Sequence, residues 1–394
     1  MSIDLPMKVL AIHAPQRPLS RKTRSGGFSL IEIMVGIVIG MVGLLVIFKT
    51  VATWDSHTRS TTSGGDAQSS GTLAMFNLER DIKQAGLGFG TAQAAVMGCA
   101  VKGTDSLTAR ALDFPFYPVL ITAGASAGEP DRIDVLYGNS AYFGRIGEVI
   151  DSTATTKKLK RRAGFRGSDV AVIANSSTPP TACDLIQIAD ATNADNVTVT
   201  HAVGTVIPDA AYVGASTTSR FNGVSAGSYG FGSSIYNLGT TPTLNRWQIN
   251  GRALTRTDYL SDNAVLEVAD GVINMQAQYG VDADGNNIIS DSEWVDPSAA
   301  APADWTKVRA IRVAILVRSR QFEKPPTESP SATSVAVTAV APKPSWTGGS
   351  FLMTNVNGSA DSETTAVPNN WRYYRYRVFE KVIPLRNVIW GTAP

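Results

Sequence analysis

The chain opens on a polar, basic stretch and then changes abruptly. Residues 28–48 read FSLIEIMVGIVIGMVGLLVIF, a 21-residue run in which Ser29 and Glu32 are the polar positions. As a helix, a run of this length crosses a ~30 Å hydrocarbon core. Beyond Lys49 the pattern becomes amphipathic. Trp54, Leu73, Phe76 and Ile82 predict that the helix continues to about Ala85, with Gly86 as its C-cap. The Ser/Thr cluster at 60–63 and Gly64-Gly65 predict a bend or break within it. From about residue 95 the period shortens to two. Arg132–Tyr137 alternates, and Val308–Arg318 does so more clearly. There Ile311, Val313, Ile315 and Val317 share one face, and Arg312 and Arg318 lie on the other. Residues 217–241 read as a Gly/Ser/Thr-rich loop. Residues 323–350, with five prolines, read as an inserted, mobile linker. Strand chemistry returns over 371–390.

Arg21, Lys22 and Arg24 precede the apolar run, which orients that end to the cytoplasm and sends the remainder across the membrane. A cleaved secretory signal has a shorter apolar region, ~7–15 residues, with small residues after it. Here the run is longer and the small pair Gly26-Gly27 comes before it. Glu32 stands out, because a carboxylate within a bilayer costs ~2.5–3.5 kcal/mol on insertion scales. A cut between Gly27 and Phe28 would put a new α-amine four residues, one helical turn, before Glu32. That amine and carboxylate can pair in the same helix or between neighbours, which gives a rule for assembling a helical bundle. Gly36 and Gly40, with Gly43 nearby, permit close helix packing, although each glycine lowers helical stability by ~1 kcal/mol relative to Ala.

Arg24-Ser25-Gly26-Gly27 followed by Phe28-Ser29-Leu30-Ile31-Glu32 resembles the class III signal of type IV pilins and type II secretion pseudopilins. The segments Leu78-Glu79-Arg80-Asp81-Ile82 … Ala85-Gly86, Tyr259 to Asp282 and Trp371 to Asn387 are similar to PilW-type minor pilins. The resemblance covers both ends and the middle-right of the chain, and residues 100–255 add little to it. It implies an α+β, pilin-like fold: a long N-terminal helix over about 28–85 packed on an antiparallel β-sheet, with large loop insertions. It implies a leader at 1–27, a membrane or filament-core helix at 28–53, a second helical half at 54–85 and a β-rich body at 86–394, with insertions at 140–250 and 323–370. A prepilin peptidase would cleave after Gly27 and methylate the amine of Phe28. The protein would catalyse nothing. It would sit in the inner membrane and then join other minor pilins and the major pilin in a priming complex at the pilus tip, where it could present an adhesin. Rival readings are a J-type minor pseudopilin of type II secretion and a membrane-anchored, calcium-dependent surface-binding module.

Composition adds exclusions. Of 394 residues, 43% are apolar and 17% charged, against roughly 25% charged in ordinary domains, so the chain is no disordered polyelectrolyte. The formal charge of +2 comes from the leader: without residues 1–27, 30 basic and 32 acidic side chains remain, a net of −2. No global basic field argues for nucleic acid as a specific partner. Two Cys exclude a disulfide-dense scaffold, and three His leave little for His-based catalysis.

Within the body, residues 282–293 carry the spacing of a calcium loop. Asp282, Asp284 and Asn286 fall at positions one, three and five. Ile288 would give its carbonyl, Ser290 holds the water-bridged ninth place and Glu293 the bidentate twelfth. Asn287 stands where glycine is usual, but Asn tolerates the left-handed conformation. The alternative is a solvated acidic turn. Cys99 and Cys183, beyond the membrane, are expected to form a disulfide rather than two buried thiols. Gly223-Val224-Ser225-Ala226-Gly227 matches a nucleophile elbow, but its flanking strand and helix and a later His are missing, so no esterase is expected. The basic run Lys157, Lys158, Lys160, Arg161, Arg162 and Arg166 reads as a solvated loop, with contact to DNA, lipid headgroups or an acidic partner as the sharper reading. The aromatic/Arg segment 371–379 reads as cross-strand and cation–π packing rather than base stacking.

Overall fold

The structure is a computed structural model. It describes residues 27, 29–90, 96–126, 128–140, 146–162, 164–177, 180–189, 197–206, 217–223, 227, 229–297, 302, 304–320, 343–353, 371 and 374–389. The chain divides into two units, Met1–Thr58 and Arg59–Pro394.

The first unit carries the start of the helix Leu30–Gln84. Its segment Leu30–Asp55 has a mean hydropathy of 2.8, with none of its apolar window buried. A fully apolar, uncovered helical surface is stable in lipid or against other helices and not in water.

In the second unit the helix runs on to Gln84 without the break predicted at 60–65. Each α-helical backbone bond closes within four residues, and the face from 67 onward is held by burial, which outweighs the propensity cost of two glycines. The buried stripe is Ala67, Ala74, Met75, Leu78, Ile82 and Ala85. It follows helical spacing, but Leu73 and Phe76, expected on the core face, are 51% and 59% exposed. The helix packs instead through its small residues. A Cβ on Gly71 would lie 2.0 Å from the Phe379 ring, so the axis approaches the sheet more closely than a Leu/Phe stripe would allow.

Among the described residues three larger sheets form the body, beside two two-stranded pairs, Thr205–Val206 with Thr217–Thr218 and Ser345–Trp346 with Gly349–Ser350. A five-stranded antiparallel sheet runs in the order Val265–Asp270, Ala253–Asp258, Thr243–Asn250, Arg132–Tyr137, Val119–Thr122. A four-stranded one runs Trp294–Val295, Val272–Val281, Val308–Arg318, Tyr376–Pro384. The helical stripe meets inward residues of both, including Ile133, Val135, Trp247, Met275, Ile311, Val313 and Ile315. The other face of Val308–Arg318 is buried as well: Ala314 and Leu316 pack with Phe351, Met353 and Trp371. Residues 343–353, expected within a mobile insertion, are therefore partly core. The rest of that expectation, at 323–342 and 354–370, lies outside the described residues. After Tyr376–Pro384 the chain forms a short helix, Arg386–Ile389, where strand chemistry was expected.

The third sheet was not anticipated as a unit. Its eight strands run Arg110–Pro115, Ala100–Asp105, Cys183–Gln187, Val170–Ala174, Ser233–Gly239, Ile146–Ser152, Thr156–Leu159, Thr198–Thr200. All neighbours are antiparallel except Ala100–Asp105 with Cys183–Gln187. Ser233–Gly239 sits centrally in it, although the composition of 217–241 predicts loop. Buried Ile235, Tyr236 and Leu238 supply the apolar alternation that overrides the surrounding Gly and Ser.

Two buried titratable groups give the body opposing acid responses. Burial, helped by the Lys157 charge, pushes His201 down to about 4. Unfolded His titrates near 6.5, so between these values the unfolded chain binds the proton and acidification removes stability. Burial, helped by Asp296, pushes Asp131 up to about 6 against the pull of the Ala277 and Gly124 N–H groups. Between about 6 and the ordinary Asp value the folded chain binds the proton first, so acidification adds stability. Taking the pH from 7 to 5 should therefore cost about 2 kcal/mol through His201 and return about 1 kcal/mol through Asp131. Urea midpoints at both pH values check this: His201→Gln should lose less on acidification than wild type, and Asp131→Asn should lose more. Parallel shifts in the two variants would refute it.

Candidate functional site

Glu32 lies in the first turn of the long helix, and its Oε2 accepts the Ser29 N–H at 3.1 Å. The carboxylate thus sits at the helical end where unpaired N–H groups favour an anion. Gly27 is described; Phe28 and residues 1–26 lie outside the described residues.

The 282–293 loop leaves the end of Val272–Val281 and returns through a 3-10 turn, Asp291–Glu293, into Trp294–Val295. Asp282 is buried, and its Oδ2 accepts from Asn287 N at 3.2 Å and Arg309 Nε at 3.3 Å. Glu293 Oε1 accepts from Ala283 N at 2.8 Å, and Oε2 accepts from Ser290 N and Oγ at 2.8 and 2.9 Å. Asp284 accepts from the Asn286 N–H at 3.1 Å, and Asn286 Oδ1 accepts from Ile288 N at 2.7 Å. Asn287 has φ +63°, the left-handed turn that the loop needs at the usual glycine position. Ligand atoms of Asp282, Asp284 and Glu293 lie within 4.8 Å of one another. Ile288 and Ser290 complete the loop, with Ile288 exposed.

Cys99 and Cys183 are disulfide-bonded, with Cα atoms 6.1 Å apart. The basic run is only partly the solvated loop expected. Lys157–Leu159 lies in the strand Thr156–Leu159, and Lys157 is fully buried with its ammonium donating to Thr153 O. Strand alternation turns every second residue inward, so Lys157 points in and Lys158 out. Arg162 is buried too, donating to Thr198 O at 3.0 Å. Gly223 abuts Thr104, Gly227 N donates to Asp184 Oδ2 at 2.9 Å, and residues 224–226 lie outside the described residues. At the aromatic segment, Arg318 stacks over Tyr374 at 4.4 Å, and Trp371 meets Tyr376 edge-on at 6.3 Å, which is packing as expected.

Two residues carry more than the sequence assigned to them. Asp81 is 2% exposed and accepts from Trp247 Nε1 at 2.7 Å, Asn245 Nδ2 at 2.6 Å and Tyr137 Oη at 3.1 Å. Burial and then the Asp81 charge hold the Tyr137 hydroxyl well above the ordinary tyrosine range. Asn387 Nδ2 donates to the carbonyls of Gln84 and Ala85, both at 3.1 Å, and so satisfies the helix C-terminus. Gly86, with φ +78°, ends the helix there. The signal for Asp81 was an acid flanked by the apolar stripe positions Leu78, Ile82 and Ala85.

A membrane-length apolar helix with an acid in its first turn, continuing into a helix packed on antiparallel sheet, is a pilin-like α+β arrangement. Residues 22–48 match the family model of the prokaryotic N-terminal methylation motif, and residues 228–387 match that of the type IV pilus-assembly protein W. By these two matches the chain is similar to PilW-type minor pilins of type IV pili. No curated protein and no solved structure matches it.

Proposed function

We propose that this protein is a non-enzymatic subunit of the complex that primes a type IV pilus and remains at its tip. Before assembly it resides in the inner membrane with its body on the far side. Prepilin peptidase removes residues 1–27 and methylates Phe28, and the subunit then enters the filament beside other minor pilins and the major pilin. Adhesion, twitching motility and DNA uptake follow as roles of the finished pilus, and a tip adhesin is a further partner. The observation that carries this reading is the match to the methylation motif over 22–48 together with Glu32 in the first helical turn. An uncovered apolar helix with a lone acid needs a cation, and the amine of a processed neighbour supplies one. The match over 228–387 supports a pilus rather than a secretion pseudopilus.

Glu32→Ala tests the pairing. The variant should be processed to a mature chain beginning at N-methyl-Phe28, read by mass spectrometry, yet be depleted at least about tenfold from sheared pili, the loss that ~1.4 kcal/mol of pairing gives. Equal recovery of variant and wild type in sheared pili would exclude the pairing. A precursor left uncut in cells with active peptidase would exclude the pilus reading itself.

A further inference from the structure

We propose that the 282–293 loop is a calcium site that fixes the edge of the four-stranded sheet. The argument stands on Asp282. This side chain is 1% exposed, and its Oδ1 is buried without a hydrogen-bond partner among the described residues. A buried carboxylate oxygen with no donor is costly, and charged groups in such positions are paired or hold a metal. Arg309 covers the other oxygen, Oδ2. The open oxygen belongs to a carboxylate whose ligand atom lies within 4.8 Å of those of Asp284 and Glu293. Two oxygens bound to one Ca²⁺ at 2.3–2.6 Å stand at most about 5 Å apart, so the three carboxylates already fit around a single ion.

Charge and donor chemistry select the ion. Three carboxylates face two nearby cations, Arg309 and Lys307, whose Nζ donates to Ala283 O at 2.9 Å. With Asp291, the loop's fourth carboxylate, two negative charges remain in excess. The donors are all oxygens: three carboxylates, the Asn286 amide and backbone carbonyls. They come from an irregular loop rather than a rigid octahedral cage, which suits Ca²⁺ and disfavours Mg²⁺ with its shorter bonds and tightly held water.

The loop is wired to the sheet edge. Glu293 directly precedes Trp294, which pairs with Gly280 at the strand edge. The Arg312 guanidinium lies 4.5 Å over the Trp294 ring and 5.5 Å from the Trp346 ring. An ion held by Glu293 and Asp282 therefore restrains the segment that carries Trp294 into this stack, and the tryptophan fluorescence of the chain reports it.

The test uses the full chain in detergent, stripped with chelator and titrated with Ca²⁺ alone. Saturable binding with Kd on the order of 10⁻⁴–10⁻³ M is expected, with a tryptophan fluorescence change and a rise in Tm over the same range. Asp282→Asn should abolish the response. Because that residue is buried, Asp284→Asn is the decisive variant: Asp284 is exposed and bonds within the loop, so the calcium-free Tm should stay unchanged while Ca²⁺ affinity falls about tenfold or more. The proposal is overturned by a wild type that shows no saturable Ca²⁺ response, by an Asp284→Asn variant that binds like wild type, or by Mg²⁺ acting as strongly as Ca²⁺.

Discussion

Asp81→Ala should destabilise the body by about 3 kcal/mol or more, the cost of stranding buried donors around a deleted acceptor. Asp81 is the acceptor for the indole of Trp247 and the amide of Asn245, both through Oδ2, and for the Tyr137 hydroxyl through Oδ1. These three residues belong to the strands Thr243–Asn250 and Arg132–Tyr137, so one carboxylate ties the last turn of the helix to two adjacent strands. Asn245 keeps the Tyr137 oxygen as a partner at 3.3 Å, but the Trp247 N–H has no second acceptor among the described residues. The loss should therefore concentrate on the Trp247 contact. Trp247→Phe and Asp81→Ala together should cost less than the sum of the two singles, with a coupling of ~1 kcal/mol or more in a double-mutant cycle. Urea unfolding followed by tryptophan fluorescence gives all four corners. An Asp81→Ala variant within ~0.5 kcal/mol of wild type, the range of ordinary surface changes, would refute the pin.

Asp81 also shows what the sequence could and could not disclose. The apolar run 28–48, the acid at 32 and the alternation of Val308–Arg318 were legible because each is a local pattern with one physical solution: a span, an unpaired charge, a strand. The 282–293 loop was legible as a spacing of oxygen donors, but the Arg309 cation that pairs with Asp282 lies in another strand and has no signature in the loop. The helix was legible in extent and wrong in face. Reading burial from the largest apolar residues chose Leu73 and Phe76, whereas the close approach allowed at Gly71 and Ala74 decides the contact. Ser233–Gly239 was hidden because its neighbours are Gly and Ser and its strand pairing is with chain 59 or more residues away. Lys157 was hidden for the opposite reason: a run of cations reads as solvated, while strand geometry turns one of them inward over the Tyr229 ring, 5.8 Å away. The Asp and Asn of the family-like segments, Asp81 and Asn387, were quoted as resemblance alone. Their structural meaning, a pin and a cap on the same helix end, needed both ends of the chain to be brought together.

The disulfide explains how the hairpin of Ala100–Asp105 and Arg110–Pro115 can hang on the eight-stranded sheet by so little pairing, and its removal should have the other large effect. Ala100–Asp105 joins Cys183–Gln187 through two register pairs, Val101 with Cys183 and Lys102 with Asp184. Arg110–Pro115 pairs in turn with Ala100–Asp105, so among the described residues this hairpin reaches the sheet by that short parallel contact. Parallel pairing is the weaker kind and demands a long connection. Here the bond from Cys99 to Cys183, 84 residues apart, closes that connection at the first register pair. In the chain-entropy account a loop of this length is worth roughly 4–5 kcal/mol. Cys99→Ser with Cys183→Ser should lower stability by about that amount. The loss should also be local first. Amide exchange in 100–115 should quicken more than in Val272–Val281 or Val308–Arg318, because those strands share nine register pairs of their own. The Asp105–Arg220 pair, at 2.9 and 2.7 Å, and the burial of Val101, Leu112 and Phe114 should keep the hairpin from detaching outright. Uniform acceleration across all three sheets would show instead that the bond acts only on the unfolded chain. No change in the unfolding midpoint on reduction would show that the parallel contact holds by itself.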